Sequence, residues 1–235
     1  MSFSTGRRLA AGVLLAVAML ALPTVATPAG QIVIYGSQSG STLTLSTEGG
    51  KIVVEGKLAR NRLVGCHFTR GHRVAVCPTR DASRLEVQMG PSGDLVRVAD
   101  RLPMPLTIHL GAGSDKFIGN AERDICFPGG SRRNRCIGGP NNDVCVTGNR
   151  NSDCVGGPGN DYCRHGDGSD GCWGGPGNDV CVMGPGQDGC HGGPGNDRLY
   201  GGRNPDQLYG GPGDDYCDGG PGIGKSHDCN FGPRH

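Results

Sequence analysis

Residues 174–182 read Gly-Gly-Pro-Gly-Asn-Asp-Val-Cys-Val, and this nine-residue unit decides how the chain folds. Close copies occupy residues 138–146, 156–164, 192–200 and 210–218. The units between them are degenerate but keep the length of nine, so the run is unbroken from residue 129 to residue 218. A fixed short repeat indicates a solenoid, in which each coil buries little surface and is stabilised by stacking on its neighbours.

The repeat extends beyond this run in a looser form. Less regular units lie at residues 110–118 and 119–127, with Pro128 as one inserted residue, and a stretched unit covers residues 219–229. The repeat therefore accounts for about half of the 235 residues.

The composition does not suit a conventional globular core. Hydrophobic residues make up 35% of the chain and aromatic residues 5%, while there are 45 glycines and 16 prolines. In a sequence without a periodic repeat, this much glycine and proline would indicate disorder. The net charge of +1 gives no reason to expect nucleic acid or an anionic membrane as a partner.

The first 29 residues predict a secretory signal peptide. Arg7 and Arg8 form a positive segment, residues 9–22 an apolar one, and Ala26 and Ala29 lie at candidate cleavage positions. The apolar run is shorter than the ~20 residues that a membrane-spanning helix needs, so we expect an exported protein with no span after cleavage. In an exported chain, 12 cysteines predict disulfides rather than free thiols.

Residues 30–109 predict a β-rich cap that starts the solenoid. Short apolar stretches separated by Gly, Asn and Pro turns predict strands at residues 31–35, 41–46, 51–55, 73–77, 84–89, 95–99 and 106–110. The alternative is a separate catalytic domain. Cys66 and Cys77 lie in neighbouring stretches of the cap, and we expect them to pair.

Within each repeat, positions one to six predict a Gly-rich turn ending in Asp, and positions seven to nine a three-residue strand. Because successive side chains of a strand point to opposite faces, position eight faces inward if positions seven and nine face outward. Position seven includes Arg135, Asp153 and Arg198, as expected for an outer face. Position eight holds Phe117, Cys126, Cys136, Cys145, Cys154, Cys163, Cys172, Cys181, Cys190, Leu199, Leu208 and Cys217.

The pattern Gly-Gly-x-Gly-x-Asp followed by x, a large apolar residue and x resembles the calcium-binding nonapeptide of RTX proteins, the hemolysin-type repeat. The resemblance covers roughly residues 110–229. It implies an all-β fold, a right-handed parallel β-roll with two nonapeptides per coil, and several Ca²⁺ ions held between turns stacked one coil apart. The chemistry agrees, because calcium prefers six to eight oxygen ligands and glycine lets a turn direct several carbonyls at one point.

Carried over to this chain, the resemblance implies two columns of turns. The acidic positions of the first column are Asp124, Asp143, Asp161, Asp179, Asp197 and Asp215. Those of the second column are Asp115, Asn134, Ser152, Asp170, Asp188 and Asp206. The glycines of the best turns are Gly157, Gly159, Gly175, Gly177, Gly193 and Gly195.

We expect well-formed calcium sites from Asp143 to Asp215, weaker sites joining Asp170, Asp188 and Asp206, and poor or absent sites at Asn134 and Ser152. The alternative is that Gly-Asn-Asp forms tight surface turns without a metal, since Asn and Asp favour turns. Carboxylates stacked about 4.8 Å apart would repel one another unless a cation intervened, which favours the metal.

Cysteine at the inward position departs from the family pattern, which has Leu, Ile or Phe there. Two pairings are open: across the core to the next repeat, or along one sheet to the next coil. Leu199 and Leu208, the two inward positions without cysteine, belong to consecutive repeats. They would form one cross-core couple, so both partners of that couple are absent together, which favours cross-core pairing. The couples would be Cys126–Cys136, Cys145–Cys154, Cys163–Cys172, Cys181–Cys190 and Cys217–Cys229.

No catalytic motif stands out, so we predict a secreted calcium-binding structural or adhesive protein rather than an enzyme. The alternative is a small extracellular hydrolase whose active site lies in the cap around His67, His72 and His109. A cell-surface glycan or protein is the expected kind of partner besides calcium. The candidate contact surface is a stripe at position nine of the second column, formed by Ile137, Val155, Trp173, His191 and Tyr209.

Overall fold

A computed structural model describes residues 31–69, 73–80, 82–120, 122–129, 133–222 and 224–230. Over these ranges the protein is all-β, with 22 strands and no helix. None of the described segments is a helix long and apolar enough to cross a membrane. The predicted signal peptide and the C-terminal tail from residue 231 lie outside the described residues.

The first nine strands form the cap and its junction with the repeats. Their bounds are β1 Gln31–Gly36, β2 Thr42–Glu48, β3 Lys51–Gly56, β4 Leu58–Val64, β5 His67–Thr69, β6 Val74–Pro78, β7 Arg84–Gln88, β8 Leu95–Val98 and β9 Leu106–Gly111. All seven predicted cap strands are present within one or two residues. The sequence analysis missed β4 and β5; β4 reads Leu-Ala-Arg-Asn-Arg-Leu-Val and lacks the alternation that indicates a strand.

The remaining strands come one from each repeat, and all but β11 have three residues. Their bounds are β10 Lys116–Ile118, β11 Asp124–Pro128, β12 Arg135–Ile137, β13 Val144–Val146, β14 Asp153–Val155, β15 Tyr162–Arg164, β16 Gly171–Trp173, β17 Val180–Val182, β18 Gly189–His191, β19 Arg198–Tyr200, β20 Gln207–Tyr209, β21 Tyr216–Asp218 and β22 Lys225–His227. Positions seven to nine of the repeat thus form the strands, as predicted.

Successive repeat strands alternate between two sheets. The first sheet has ten strands in the order β21-β19-β17-β15-β13-β11-β9-β7-β1-β4, and the second has twelve in the order β22-β20-β18-β16-β14-β12-β10-β8-β2-β3-β6-β5. Repeat strands pair in parallel with the strand one coil away, in a register that places Cys145 beside Cys163. Two nonapeptides therefore make one coil of a parallel β-roll, which confirms the predicted fold class.

The middle residue of every triplet from β10 to β21 is buried, whereas its two neighbours are partly or fully exposed. This confirms that position eight faces inward. In the cap the core is aliphatic, with Leu43, Ile52 and Leu85 fully buried, and in the roll it becomes a line of sulfur atoms from Cys126 onward. The two sheets run without interruption from the cap into the roll, because β7 pairs β9 and β8 pairs β10.

Four disulfides are present. Cys66–Cys77 joins the start of β5 to β6, as predicted, and Cys217–Cys229 closes the C-terminal end, also as predicted. Cys154–Cys163 and Cys172–Cys181 cross the core between the sheets, with Cα–Cα distances of 6.2 and 6.4 Å. The cross-core direction agrees with our prediction, because the small cysteine side chains let the sheets approach within disulfide range.

The bonded couples inside the roll are shifted by one repeat from the predicted ones. Cys163 bonds Cys154 instead of Cys172, and Cys181 bonds Cys172 instead of Cys190. The predicted couples Cys145–Cys154, Cys163–Cys172 and Cys181–Cys190 are therefore not those in the structure, and Cys126–Cys136 is not bonded either. A cysteine inside the run faces one cysteine of the preceding repeat and one of the following repeat across the core. The nine-residue spacing therefore does not determine which of the two it bonds. Four buried cysteines remain as thiols: Cys126, Cys136, Cys145 and Cys190.

The turns require glycine where the backbone adopts positive φ against the next coil. Gly195 has a φ of 147°, and a Cβ there would overlap the carbonyl oxygen of Gly177 in the preceding coil. Gly189, in contrast, has open space around the position of a Cβ. We expect Gly195→Ala to lower the free energy of unfolding by about 1–3 kcal/mol, through backbone strain and separation of the coils.

Chemical denaturation of the oxidised protein measures this change, and Gly189→Ala is the matched control. The control substitution is expected to leave the denaturation midpoint within error of the wild type. Equal midpoints for the two variants would contradict the tight stacking of the turns.

Candidate metal centres

The acidic residues of the first column are joined by a ladder of hydrogen bonds. The backbone N–H of Asp143 donates to Oδ1 of Asp161 at 2.7 Å, and that of Asp161 donates to Oδ1 of Asp179 at 2.7 Å. The same bond links Asp124 to Asp143, Asp179 to Asp197 and Asp197 to Asp215. One carboxylate oxygen of each residue thus fixes the stacking of the turns, and the other is left for a different partner.

The second oxygen of these carboxylates is buried and has no hydrogen-bond partner. This holds for Oδ2 of Asp143, Asp161, Asp179, Asp197 and Asp215. A buried carboxylate oxygen without a partner costs free energy, so native structures rarely leave one unsatisfied. A column of such oxygens facing the turn interior matches the needs of a cation that binds oxygen.

Burial makes the carboxylates of Asp143, Asp161 and Asp179 hard to ionise without a cation. Desolvation raises the pKa of Asp143 to about 8, with further repulsion from Asp124 and Asp161, while the hydrogen bond from the Asp124 backbone acts in the opposite direction. Desolvation also raises the pKa of Asp179 to about 7 and that of Asp161 to about 6. A positive ion beside them would reverse this effect, because an opposite charge stabilises the ionised form.

Glycine at position one keeps the space in front of each free oxygen open. A Cβ at Gly156 or Gly174 would collide with Oδ2 of Asp161 or Asp179, respectively. Gly157, Gly175 and Gly193 at position two have φ of 115–117°, and Gly159, Gly177 and Gly195 at position four have φ of 143–153°. The predicted glycines thus lie in the turns beside the predicted aspartates, and the donor set fits a hard divalent cation.

The second column has the same ladder but is interrupted in the middle. Ser152 N–H donates to Oδ1 of Asp170, Asp170 to Asp188, and Asp188 to Asp206, and Oδ2 of all three aspartates is buried without a partner. Asn134 Oδ1 still accepts the ladder bond from Asp115 N–H at 2.8 Å, but its Nδ2 donates to the carbonyl of Gly129, and the Ser152 hydroxyl donates to the carbonyl of Arg150. These two neutral residues offer no carboxylate oxygen to their turns, so the poor sites expected there stay a prediction.

The sequence from Met89 to Arg97 resembles a worn copy of the repeat with Asp94 at its acidic phase, and in the structure Asp94 extends the second column into the cap. Asp94 N–H donates to Oδ1 of Asp115 at 2.8 Å, and Ser41 N–H donates to Oδ1 of Asp94 at 2.6 Å. Oδ2 of Asp94 and of Asp115 is buried and unpartnered. The segment Met89-Gly90-Pro91-Ser92-Gly93-Asp94 resembles Met183-Gly184-Pro185-Gly186-Gln187-Asp188.

Sequence analysis missed His165, which distinguishes the Asp170 turn from the glycine-rich ones. Its side chain takes position one, is fully buried, and has Nδ1 3.1 Å from Thr147 Oγ1 and 4.0 Å from Asp170 Oδ1. Desolvation lowers the pKa of His165 to about 4, so the ring is neutral at pH 7. A ring in place of glycine restricts the space beside Asp170.

The candidate contact stripe forms a stack of rings on the outer face of the second sheet. The ring centroids of Trp173 and His191 are 6.3 Å apart, and those of His191 and Tyr209 are 4.6 Å apart, with nearly parallel planes. His227 continues the stack 5.0 Å beyond Tyr209, although the sequence analysis did not include it. Ile137 and Val155 lie in register on the preceding strands, and Trp173 has 42% of its surface exposed.

The histidines of the alternative hydrolase are not brought together where they are described. His67 lies in β5 at the outer edge of the second sheet, whereas His109 lies in β9 of the first sheet and stacks on Phe127. His109 Nε2 is 3.7 Å from Glu86 Oε1. His72 lies outside the described residues.

Comparison with known proteins identifies the repeats. The family model of the RTX calcium-binding nonapeptide repeat, in four copies, matches residues 107–132 and 191–224. Neither the curated proteins nor the solved structures include a significant match. Repeats of this family bind calcium ions, and the matched segments contain both ends of the ladder of buried carboxylates. The chain therefore carries RTX calcium-binding nonapeptide repeats and is a calcium-binding repeat protein.

Proposed function

We propose that this chain is an exported structural or adhesive protein whose roll is made rigid by calcium ions between successive turns. The observation that carries the proposal is the column of buried carboxylates whose Oδ2 atoms have no partner, repeated every 18 residues from Asp143 to Asp215. In this proposal calcium neutralises these groups, so that each bound ion contributes stability to the folded form alone.

The residues that would hold calcium in the first column are Asp124, Asp143, Asp161, Asp179, Asp197 and Asp215, with the carbonyls of the glycine-rich turns. Those of the second column are Asp170, Asp188 and Asp206, together with Asp94 and Asp115 near the cap. Asp124 differs from the rest, because its Oδ2 already accepts a hydrogen bond from the backbone of Asn120. We expect it to contribute less than the five aspartates that follow it.

Export and the domain boundaries belong to the same proposal. A signal peptide at residues 1–29 would direct the chain to an oxidising compartment, where the disulfides are stable. The cap would span residues 30–109, the calcium-binding roll residues 110–229, and the tail residues 230–235. A rod of this kind suits a structural role, and its exposed faces suit adhesion.

For the adhesive role we propose the ring stack around Trp173 as the contact surface for a cell-surface glycan or protein. Trp173 is the exposed large hydrophobic side chain of the described residues, and aromatic side chains dominate the binding energy of many interfaces. No observation favours the hydrolase alternative over this role, because His67 and His109 lie in different sheets.

Substitution of a single ladder aspartate tests the calcium sites. In Asp161→Asn the Oδ1 acceptor for Asp143 N–H is retained, but the free carboxylate oxygen and its charge are lost. We expect fewer ions bound and at least a tenfold loss of affinity at the affected sites, which corresponds to about 1.4 kcal/mol. Isothermal titration calorimetry with CaCl₂ measures both quantities.

The matched control is Asp153→Asn, which removes a carboxylate of the outer face that pairs with Arg133 at 3.1 Å. Its calcium stoichiometry is expected to equal that of the wild type. If the wild-type protein takes up no calcium at millimolar concentration, the proposed function is wrong.

The pH dependence of stability should change sign with calcium. Without calcium, the raised pKa values of Asp143, Asp161 and Asp179 mean that the folded form binds more protons than the unfolded chain between pH 4 and pH 8. Stability is then fully present below about pH 4, where both forms are protonated, and is lost as the pH rises through 6–8. With calcium the ionised carboxylates are required, so stability should fall as the pH is lowered.

Thermal melts at pH 5 and pH 8, in EDTA and in 5 mM CaCl₂, compare the two conditions. We expect a lower Tm at pH 8 than at pH 5 in EDTA, and the reverse order in calcium. A Tm in EDTA that rises from pH 5 to pH 8 would contradict the burial of unpaired carboxylates.

The contact surface is tested by Trp173→Ala on a glycan panel and on host-cell surfaces. If the wild type binds, we expect at least a tenfold loss of affinity in the variant, because the substitution removes the exposed end of the ring stack. Tyr200→Ala, on the outer face of the first sheet, serves as the control and should bind as the wild type does. Equal binding by both variants would place adhesion elsewhere.

A further inference from the structure

The inward cysteines form one unbroken line of neighbours across the core. Eight consecutive position-eight residues are cysteine, namely Cys126, Cys136, Cys145, Cys154, Cys163, Cys172, Cys181 and Cys190, and Leu199 and Leu208 end the line. We call these eight residues the sulfur ladder. They alternate between the two sheets, so each one faces the preceding and the following member across the core.

The bonded pairs occupy the middle of the sulfur ladder and leave thiols at both ends. Cys154–Cys163 and Cys172–Cys181 are disulfides, whereas Cys145 precedes them and Cys190 follows them as buried thiols. The sulfur atoms of Cys172, Cys181 and Cys190 all lie within 4.8 Å of one another. At the other end, a cavity of about 10 Å³ is lined by Cys145 together with Cys154 and Cys163. A thiol therefore lies beside a disulfide at each end.

This arrangement cannot be fully oxidised without a change of partners. With Cys154–Cys163 and Cys172–Cys181 in place, Cys190 has no free neighbour, because Cys181 is already bonded and Leu199 follows. Of the three thiols at Cys126, Cys136 and Cys145, only one pair can close. Two buried thiols would remain. If both bonded pairs move by one position, all eight cysteines have a free neighbour.

We propose that the sulfur ladder is an internal thiol–disulfide relay, in which the disulfides shift by one position along the core and so permit complete oxidation of the roll. The shift needs no oxidant. It is an exchange between cysteines that the fold already places on facing strands of the core, and it leaves the number of thiols and disulfides unchanged.

The relay is balanced at each step. The Cys190 thiolate forms a bond to Cys181 Sγ, the Cys172–Cys181 bond breaks, and its electron pair leaves on Cys172 Sγ. The Cys172 thiolate then bonds Cys163 Sγ and releases Cys154 as thiolate, which takes up a proton equivalent to the one that Cys190 lost. Entry from Cys145 runs the same sequence in the other direction and releases Cys181.

Oxidation can follow the exchange. After entry from Cys190, the thiols of Cys145 and Cys154 are neighbours, as are those of Cys126 and Cys136. A small disulfide such as oxidised glutathione can then close each pair, with one disulfide formed and two molecules of reduced glutathione released per pair. The result is four bridges in the sulfur ladder, each between consecutive members.

Thiol counting after treatment with oxidised glutathione tests the relay. The full-length oxidised protein is incubated with calcium and oxidised glutathione, denatured, alkylated with N-ethylmaleimide and weighed by mass spectrometry. We expect the four ladder thiols of the structure to fall to none. Digestion with a protease that cleaves before aspartate, combined with trypsin, separates all eight cysteines and should reveal Cys145–Cys154, Cys163–Cys172 and Cys181–Cys190.

Two double variants provide the matched comparison. Cys145→Ser with Cys190→Ser removes both entry thiols, and Cys154–Cys163 and Cys172–Cys181 should then persist. Cys126→Ser with Cys136→Ser removes two thiols that do not directly precede or follow a bridged cysteine in the sulfur ladder, although Cys136 lies beside Cys154 along the second sheet, and the shift should persist. Both variants keep six ladder cysteines that can pair completely, so they differ in the positions of the bridges and not in their number.

An arm without glutathione isolates the exchange itself. In the variant that lacks Cys126 and Cys136, the number of alkylated thiols should stay at two while the label moves to Cys154 or Cys181. Cys66–Cys77 and Cys217–Cys229 lie outside the sulfur ladder and should stay unchanged in every arm. The relay is wrong if the wild type keeps two or more alkylated ladder thiols with Cys154–Cys163 and Cys172–Cys181 intact, or if the label does not move.

Discussion

The hydrogen bond from the backbone of one aspartate to the carboxylate of the next, one coil away, is the constraint on which the roll depends. It fixes the spacing of the turns and buries each carboxylate, and it uses only one of the two oxygens. The second oxygen is buried without a hydrogen-bond partner, and this burial costs folding free energy. In the proposed function a bound calcium ion would remove that cost, so the contact that shapes the turn would also prepare the turn to bind calcium.

The narrow core follows from the shortness of the strands. Three residues per strand leave one inward side chain per repeat, so the roll cannot bury much apolar surface. Cysteine fits because it is small enough for the two sheets to approach, and a cross-core disulfide replaces the packing that a larger side chain would provide. Each bridge closes a loop of about ten residues and contributes roughly 2–3 kcal/mol in the chain-entropy model. Under the proposed function, calcium in the turns and disulfides in the core would stabilise the same coil at its edges and at its centre.

The cap solves the problem of the open end of a solenoid. Fully buried aliphatic residues such as Leu43, Ile52 and Leu85 give it the hydrophobic core that the roll lacks. Its parallel strands β7 and β8 continue the two sheets, while the antiparallel strands β3, β6 and β5 extend the second sheet to its far edge. Asp94 belongs to both parts, since it lies in the cap by sequence and in the second column of turns by hydrogen bonding.

The nine-residue period determined the strands, the inward position and the two columns of turns, because each of these depends on local geometry that repeats with the sequence. The sequence also located the buried aspartates of the first column and the neutral residues Asn134 and Ser152 of the second, since residue type at a fixed position of the repeat decides them. Tertiary structure decided what depends on contacts between coils. His165 acquires its role only through Thr147, which is 18 residues away in the sequence. The choice of disulfide partner is open in the sequence because a cysteine inside the run faces two equivalent partners across the core.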